Sequence, residues 1–234
     1  MGKDKLKHFE EMKSFERLFQ PSFEEITGKD YYLKSKWTDK VFQNDHPVIL
    51  ELGCGKGEYT INLARKIPGS NFIGVDIKGA RMWKGSKISH EGNIMNAAFL
   101  RTRIEFINSF FGEDEVSEIW ITFPDPQLKD RRKKKRLTSA PFLKKYQEFL
   151  SDGGIIHLKT DNEILFQYTL DMIRFNGFEV LCSTSNLYAS GFADEILNIK
   201  THYENLYLAE GANIYYLKFR LPKNKIIYEP PEEL

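Results

Sequence analysis

Val48-Ile49-Leu50-Glu51-Leu52-Gly53-Cys54-Gly55-Lys56-Gly57 is the most informative segment of the chain. A short apolar run ends in three glycines, and Glu58–Ile67 then carries Ile61, Leu63, Ala64 and Ile67 at helical spacing. Pro68-Gly69 closes that helix, and Phe72–Ile77 (FIGVDI) reads as a second strand. Strand, glycine turn, helix, strand is one βαβ unit. Outward from it the alternation continues. A helix is expected over Ala80–His90, a weak strand over Ala97–Leu100, a short helix around Ile104–Phe111, and a strand over Glu118–Phe123. Ser139–Leu150 reads as a helix stopped at Asp152-Gly153-Gly154, followed by a strand at Ile155–Leu158 and an amphipathic helix at Asn162–Phe175. Late strands are expected at Phe178–Cys182 and Ile214–Leu221. Strands and helices alternating at this spacing predict an α/β fold with a mostly parallel sheet. Its ligands bind beyond the carboxyl ends of the strands.

The 234 residues suit one larger domain, here 48–234, preceded by an extension over 1–47. The extension mixes cations and acids evenly and is expected to be partly flexible, ordered through Phe9, Phe15, Phe19, Tyr31, Tyr32 and Trp37. A hydrophobic content of 41% excludes wholesale disorder. No apolar run approaches the ~20 residues of a membrane span, and the N-terminus lacks a signal-peptide core. Cys54 and Cys182 cannot build a disulfide framework, and no Cys/His cluster has metal-ligand spacing. A cytoplasmic protein without a metal is the expectation, its oligomeric state open between monomer and homodimer.

Glycines let the backbone turn sharply and approach a ligand. Nineteen residues after Gly57, Asp76 ends the second strand, placed to bind the two hydroxyls of a ribose. The spacing is GxGxG, and Glu51 and Glu58 flank it. Both charges oppose a pyrophosphate, which argues against a dinucleotide. Both suit a ligand bearing an ammonium and a sulfonium, which points to S-adenosylmethionine (SAM). A tight turn with no ligand is the plainer alternative. Cys54 is read as a small residue in a crowded turn.

Thr122-Phe123-Pro124-Asp125-Pro126 ends the fourth strand of this domain, and its two prolines fix the backbone on either side of the Asp125 carboxylate. Four residues later Lys129–Arg136 reads KDRRKKKR, a charge of +6 within a chain whose formal net charge is only +1. Seven cations packed together repel one another unless an anion is near, and RNA phosphates are the obvious partner. A solvated loop or a nuclear localisation patch is the bland alternative.

Together these residues resemble the bacterial tRNA (guanine-N7-)-methyltransferases. The likeness runs over roughly 48–220 through ELGCGKG, GVDIK, FPDP with its Lys/Arg cluster, PFLKKYQEFLSDGGIIHLKTDN and THYE. The resemblance implies a class I SAM-dependent, Rossmann-like fold: a mostly parallel seven-stranded sheet with an antiparallel late strand and helices on both faces. It implies methyl transfer from SAM to N7 of a guanine in the tRNA variable loop. Glu51, Gly53, Gly55, Asp76 and Thr102 would hold SAM, and Asp125 would stand where SAM and guanine meet as the catalytic acid. Lys129, Asp161, Thr201, Tyr203 and Glu204 would bind substrate, and Arg131, Arg132, Lys133, Lys134, Lys135 and Arg136 would face RNA phosphate. Two of these have plainer readings: Asp161 as a helix N-cap, and Thr201 with Glu204 as a capping box. The chain departs from the family pattern at Gln127, where Trp is usual, at the pair Arg131-Arg132, where Arg-His is usual, and at Thr102, where an Asp or Asn often faces the adenine, or one residue on at Arg103. Competing readings are a SAM enzyme for small molecules or proteins, and an RNA-binding module with a vestigial SAM site. A nicotinamide oxidoreductase fails on glycine spacing and flanking acids.

Overall fold

The computed structural model describes residues 2–231. The chain forms two compact units, residues 1–112 and 113–234.

The first unit opens with α1 (Gly2–Glu11), a two-residue strand β1 (Leu18–Phe19) and a short helix α2 (Phe23–Ile26). The expected alternation then follows as β2 (Val48–Leu52), α3 (Glu58–Lys66), β3 (Asn71–Asp76), α4 (Gly79–Glu91) and β4 (Ala97–Arg101). The strands run parallel in the order β1-β4-β3-β2. All five residues of β2 are buried, which is why the strand reads as an unbroken apolar run around Glu51. Beyond β4 the expected helix is a 3₁₀ segment over Ile104–Ser109.

β1 was not foreseen. It comes from the extension and exists because the Phe99 N–H donates to the Arg17 carbonyl at 2.8 Å. Around it the 1–47 aromatics pack. Phe15, Tyr31 and Trp37 are buried, and Trp37 Nε1 donates to the Phe110 carbonyl at 2.8 Å. Tyr32 and Phe23 are the exceptions, 64% and 61% exposed.

The second unit contains β5 (Val116–Thr122), α5 (Ala140–Gln147), β6 (Leu150–Thr160), α6 (Glu163–Asn176), β7 (Val180–Thr184), α7 (His202–Ala209) and β8 (Tyr215–Arg220). β5 and β6 are parallel, and β8 lies antiparallel between β6 and β7. With β1 the described residues hold eight strands where seven were expected. β6 is longer than its apolar core suggests. Asp152-Gly153-Gly154, expected only to stop a helix, lies inside it, with Gly153 at φ +68° and a register shift in the partner strand between Val116 and Glu118. Among the described residues no helix is long and apolar enough to cross a membrane.

Candidate active site

The first cluster of predicted residues lies within the first unit, at the carboxyl ends of β2, β3 and β4. Gly53, Gly55 and Gly57 have φ of +83°, +55° and +71°. The three differ in what surrounds them. A side chain at Gly53 would meet nothing within 4 Å, and one at Gly55 would only graze the Gly53 carbonyl at 4.0 Å. A side chain at Gly57 would strike the Phe99 ring at 2.5 Å and the Gly85 Cα at 3.2 Å. Gly57 therefore serves the close approach of α4 to the loop, while Gly53 and Gly55 leave the concave side open.

Asp76 closes that cradle. Its Oδ2 accepts the Gly55 N–H at 2.9 Å and its Oδ1 accepts the Lys78 N–H at 2.7 Å. Each carboxylate oxygen retains acceptor capacity for a ribose hydroxyl. Thr102, just after β4, is buried and donates its backbone N–H to the Asp76 carbonyl at 3.1 Å. Glu51 is 3% exposed, and its Oε2 accepts the Thr60 N–H at 2.8 Å and the Thr60 hydroxyl. The carboxylate thus sits on the first turn of α3, where negative charge is stabilised by free N–H groups. An open glycine cradle closed by the Asp76 carboxylate fits a ribose, and the buried Glu51 carboxylate at the end of β2 adds negative charge that suits a cationic ligand. Burial pushes the Cys54 thiol well up, reinforced by Glu51 and Asp76, so it stays protonated and is no nucleophile.

The extension contributes a feature that sequence reasoning did not assign. Glu11 accepts from Trp83 Nε1 at 2.7 Å and pairs with Lys87 at 2.6 Å, while His8 stacks on Trp83 with ring centroids 3.8 Å apart. The Arg101 guanidinium lies 4.8 Å from the Phe9 ring. The extension is therefore fastened to α4 and to the end of β4.

The second cluster lies within the second unit, at the carboxyl ends of β5 and β6. Phe123 has φ +49°, a strained conformation for a bulky residue, and Gln127 has φ +48°. Between them Asp125 is exposed, and its Oδ1 accepts the Gln127 N–H at 3.0 Å. That Asx turn and the two prolines fix where the carboxylate points.

Asp161 follows β6. The N-cap of α6 is Asn162, whose Oδ1 accepts the Leu165 N–H at 2.9 Å, so the capping reading of Asp161 is set aside. Burial raises the Asp161 carboxyl above the ordinary carboxylate range. The Tyr207 phenol is also raised, first by burial and then by the charge of Asp161. Tyr207 sits with its ring 5.9 Å from Phe123, so it joins the ends of β5 and β6. Sequence reasoning missed it. The signal that could have found it is its position four residues after Tyr203, on the same helix face.

Thr201 and Glu204 are placed differently from the expectation. Thr201 Oγ1 accepts the Glu204 N–H at 3.2 Å, and Glu204 accepts the Thr201 N–H at 3.3 Å, a complete capping box at the start of α7. Glu204 is fully buried and its Oε1 lies 2.8 Å from Lys159 Nζ. A carboxylate so enclosed has its oxygens committed to Lys159 and the helix start, in contrast to the substrate contact expected of it. Tyr203, on the same turn, is 37% exposed.

The basic run forms a 3₁₀ segment over Asp130–Lys135, with Lys129 at its start. Lys129, Arg131, Arg132, Lys134 and Lys135 are exposed, and Lys133 pairs with Asp130 at 3.2 Å. Arg136 departs from the rest. It is 3% exposed, its Nε donates to the Pro126 carbonyl at 3.0 Å, and its guanidinium lies 4.3 Å from the Tyr168 ring. It braces the Pro-Asp-Pro turn and is not offered to phosphate.

The chain is similar to known proteins. A family model described as “Putative methyltransferase” matches residues 45–217. A tRNA (guanine-N(7)-)-methyltransferase of Christiangramia forsetii is 50% identical over 221 residues, covering 94% of this chain and 99% of that protein. The protein of the same name from Bacteroides thetaiotaomicron is 49% identical over 234 residues, 100% of this chain and 92% of its own length. The one from Clostridium acetobutylicum is 40% identical over 192 residues, covering 82% and 88%. Among solved structures, the 16S rRNA methyltransferase KamB aligns with a TM-score of 0.60 at 12% identity, over 79% of this chain and 92% of that one. A 16S rRNA (adenine(1408)-N(1))-methyltransferase from Catenulisporales acidiphilia, solved as a mutant with its cosubstrate SAM, aligns with a TM-score of 0.56 at 15% identity, over 84% and 93%. At these identities the solved structures speak to the fold, which is that of the class I SAM-dependent methyltransferases.

Proposed function

Because the chain belongs to the tRNA (guanine-N(7)-)-methyltransferase family, we propose that it transfers the methyl group of SAM to N7 of a guanine in the variable loop of tRNA, in the cytoplasm. The reading is carried by the likeness to the Christiangramia forsetii protein, 50% identical over nearly the full length of both chains.

The residues divide the work. Asp76 would take the ribose hydroxyls of SAM, the open faces of Gly53 and Gly55 would let the backbone approach, and Thr102 would stand beside the adenine. Glu51 supports the loop from α3 and adds negative charge toward a cationic ligand. SAM supplies an electrophilic methyl when bound. Guanine N7 has a lone pair and no proton, so no general base is required. What the protein must supply is alignment and stabilisation of the positive charge that grows on the purine ring. Asp125 suits both tasks, since a fixed, exposed carboxylate can accept from the guanine N1–H and N2 donors and oppose the developing charge. Asp161, Tyr203 and Tyr207 would form the wall against which the base rests. Lys129, Arg131, Arg132, Lys134 and Lys135 would hold the phosphates while the base leaves its stack.

The experiment is direct. The protein is incubated with labelled SAM and tRNA lacking the modification, and the tRNA is digested and mapped. 7-Methylguanosine at a variable-loop position is the expected product. Label on a base other than guanine, or transfer to free nucleotides at the same rate as to tRNA, overturns the reading.

A further inference from the structure

Lys159 is fully buried at the end of β6, two residues before Asp161. Ile156 and Leu158, on the other face of the strand, are buried and apolar, and an apolar residue at 159 would likewise avoid the cost of burying an ammonium. The ammonium is instead surrounded by oxygen. Nζ donates to the Leu197 carbonyl at 2.8 Å and the Ile199 carbonyl at 3.1 Å, and it pairs with both carboxylate oxygens of Glu204, at 2.8 and 3.1 Å. The Tyr188 hydroxyl, which itself donates to Glu204, lies 3.4 Å away. Leu197 and Ile199 belong to an irregular segment that leads into α7, and Glu204 is the third residue of that helix. One cation thus ties a strand end, an irregular segment and a helix start together.

We propose that Lys159 is a positioning residue for guanine binding. Its buried ammonium fixes the start of α7 against the end of β6 and so sets where Tyr203, Tyr207 and Asp161 stand. Tyr203 and Tyr207 are one turn apart on α7, and Tyr207 lies close enough to Asp161 for the carboxylate to raise its phenol, so a small shift of the helix moves both tyrosines relative to Asp161. A buried ion pair is weak evidence of stability, because an apolar replacement of both partners is often neutral. Its use here is geometric. The proposal rests on the methyl-transfer reading above.

The test separates position from packing. Lys159→Met alone strands a buried carboxylate and is expected to lower the thermal midpoint. Lys159→Met combined with Glu204→Gln keeps the aliphatic stem and the capping acceptor, and leaves no buried charge. That double variant should still fold, with a midpoint lowered by the unpaired Leu197 and Ile199 carbonyls, and keep its SAM affinity by calorimetry. Its KM for tRNA should rise at least about tenfold with a fall in kcat, and hydrogen exchange over residues 197–207 should quicken. A folded double variant with wild-type tRNA KM and kcat overturns the proposal. Should the double variant not fold, Tyr188→Phe removes only one hydroxyl from Glu204, and its KM for tRNA should rise about threefold with SAM affinity unchanged. No change there also overturns it. Wild-type protein that makes no 7-methylguanosine would instead sink the underlying reading.

Discussion

In the glycine loop, the groups named for cofactor binding are held by their own unit. Asp76 accepts two backbone N–H groups, Glu51 is buried on Thr60, and the Gly53 and Cys54 N–H groups both donate to the Val75 carbonyl. Around the Pro-Asp-Pro turn, Asp125 is exposed on one Asx turn and five cations stand out in solvent. A small cofactor has a fixed shape, and a site organised in advance avoids the entropy of ordering it. A polyanion is long and strongly charged, so exposed cations gain by releasing counterions and need less fixed geometry. Disruption should therefore act by different routes in the two regions: through folding and cofactor affinity in the first, through catalysis and salt dependence in the second.

The largest expected effect belongs to Asp125. Asp125→Ala should lower methyl transfer to tRNA by about 10²-fold or more while SAM affinity by calorimetry stays unchanged. Undiminished turnover would return this turn to a purely structural role.

Glycine replacements come next and sharpen the first half of the contrast. Gly57→Ala meets both a left-handed φ and the Phe99 ring, so it should destabilise by more than Gly53→Ala, whose cost is the ~1–2 kcal/mol of the left-handed conformation alone. Chemical denaturation measures both. Equal losses would mean that the close approach of α4 to the loop does not matter.

The smallest effect per residue lies in the basic run. Changing Arg131, Arg132, Lys134 and Lys135 to Gln should weaken tRNA binding and flatten the slope of log K against log salt, by roughly 0.7–0.9 for each phosphate that is no longer neutralised. Arg136→Gln should leave that slope unchanged and lower the thermal midpoint, because its guanidinium is spent on the Pro126 carbonyl and the Tyr168 ring. A reduced slope for Arg136→Gln would place it back among the phosphate-binding cations.

Much of this architecture was legible in the chain. The β2–α3–β3 unit announced itself because apolar periodicity and glycines act locally, over spans shorter than the elements they define. Asp76 and Asp125 were readable for the same reason, one ending an apolar strand and the other standing between two prolines just beyond one. β1 was not, since a two-residue strand has no pattern of its own and exists only through its pairing with Phe99 and Leu100. Tyr207 carried only a weak signal, its place one turn after Tyr203, because its approach to Phe123 and Asp161 is made by segments distant in sequence.

The sequence by itself determined the α/β alternation, the glycine cradle with its ribose acid, the rigid Asp125 turn and the concentration of charge at Lys129–Arg136. Tertiary structure alone decided which members of these motifs face outward. Within one run of cations it buried Arg136 and exposed Arg131, Arg132, Lys134 and Lys135. Within THYE it buried Glu204 on Lys159 and left Tyr203 at the surface. The reason is that residue type and spacing fix local backbone choices. Whether a charged side chain reaches solvent or a buried partner depends on what distant segments bring beside it, and desolvation makes that choice close to all-or-none.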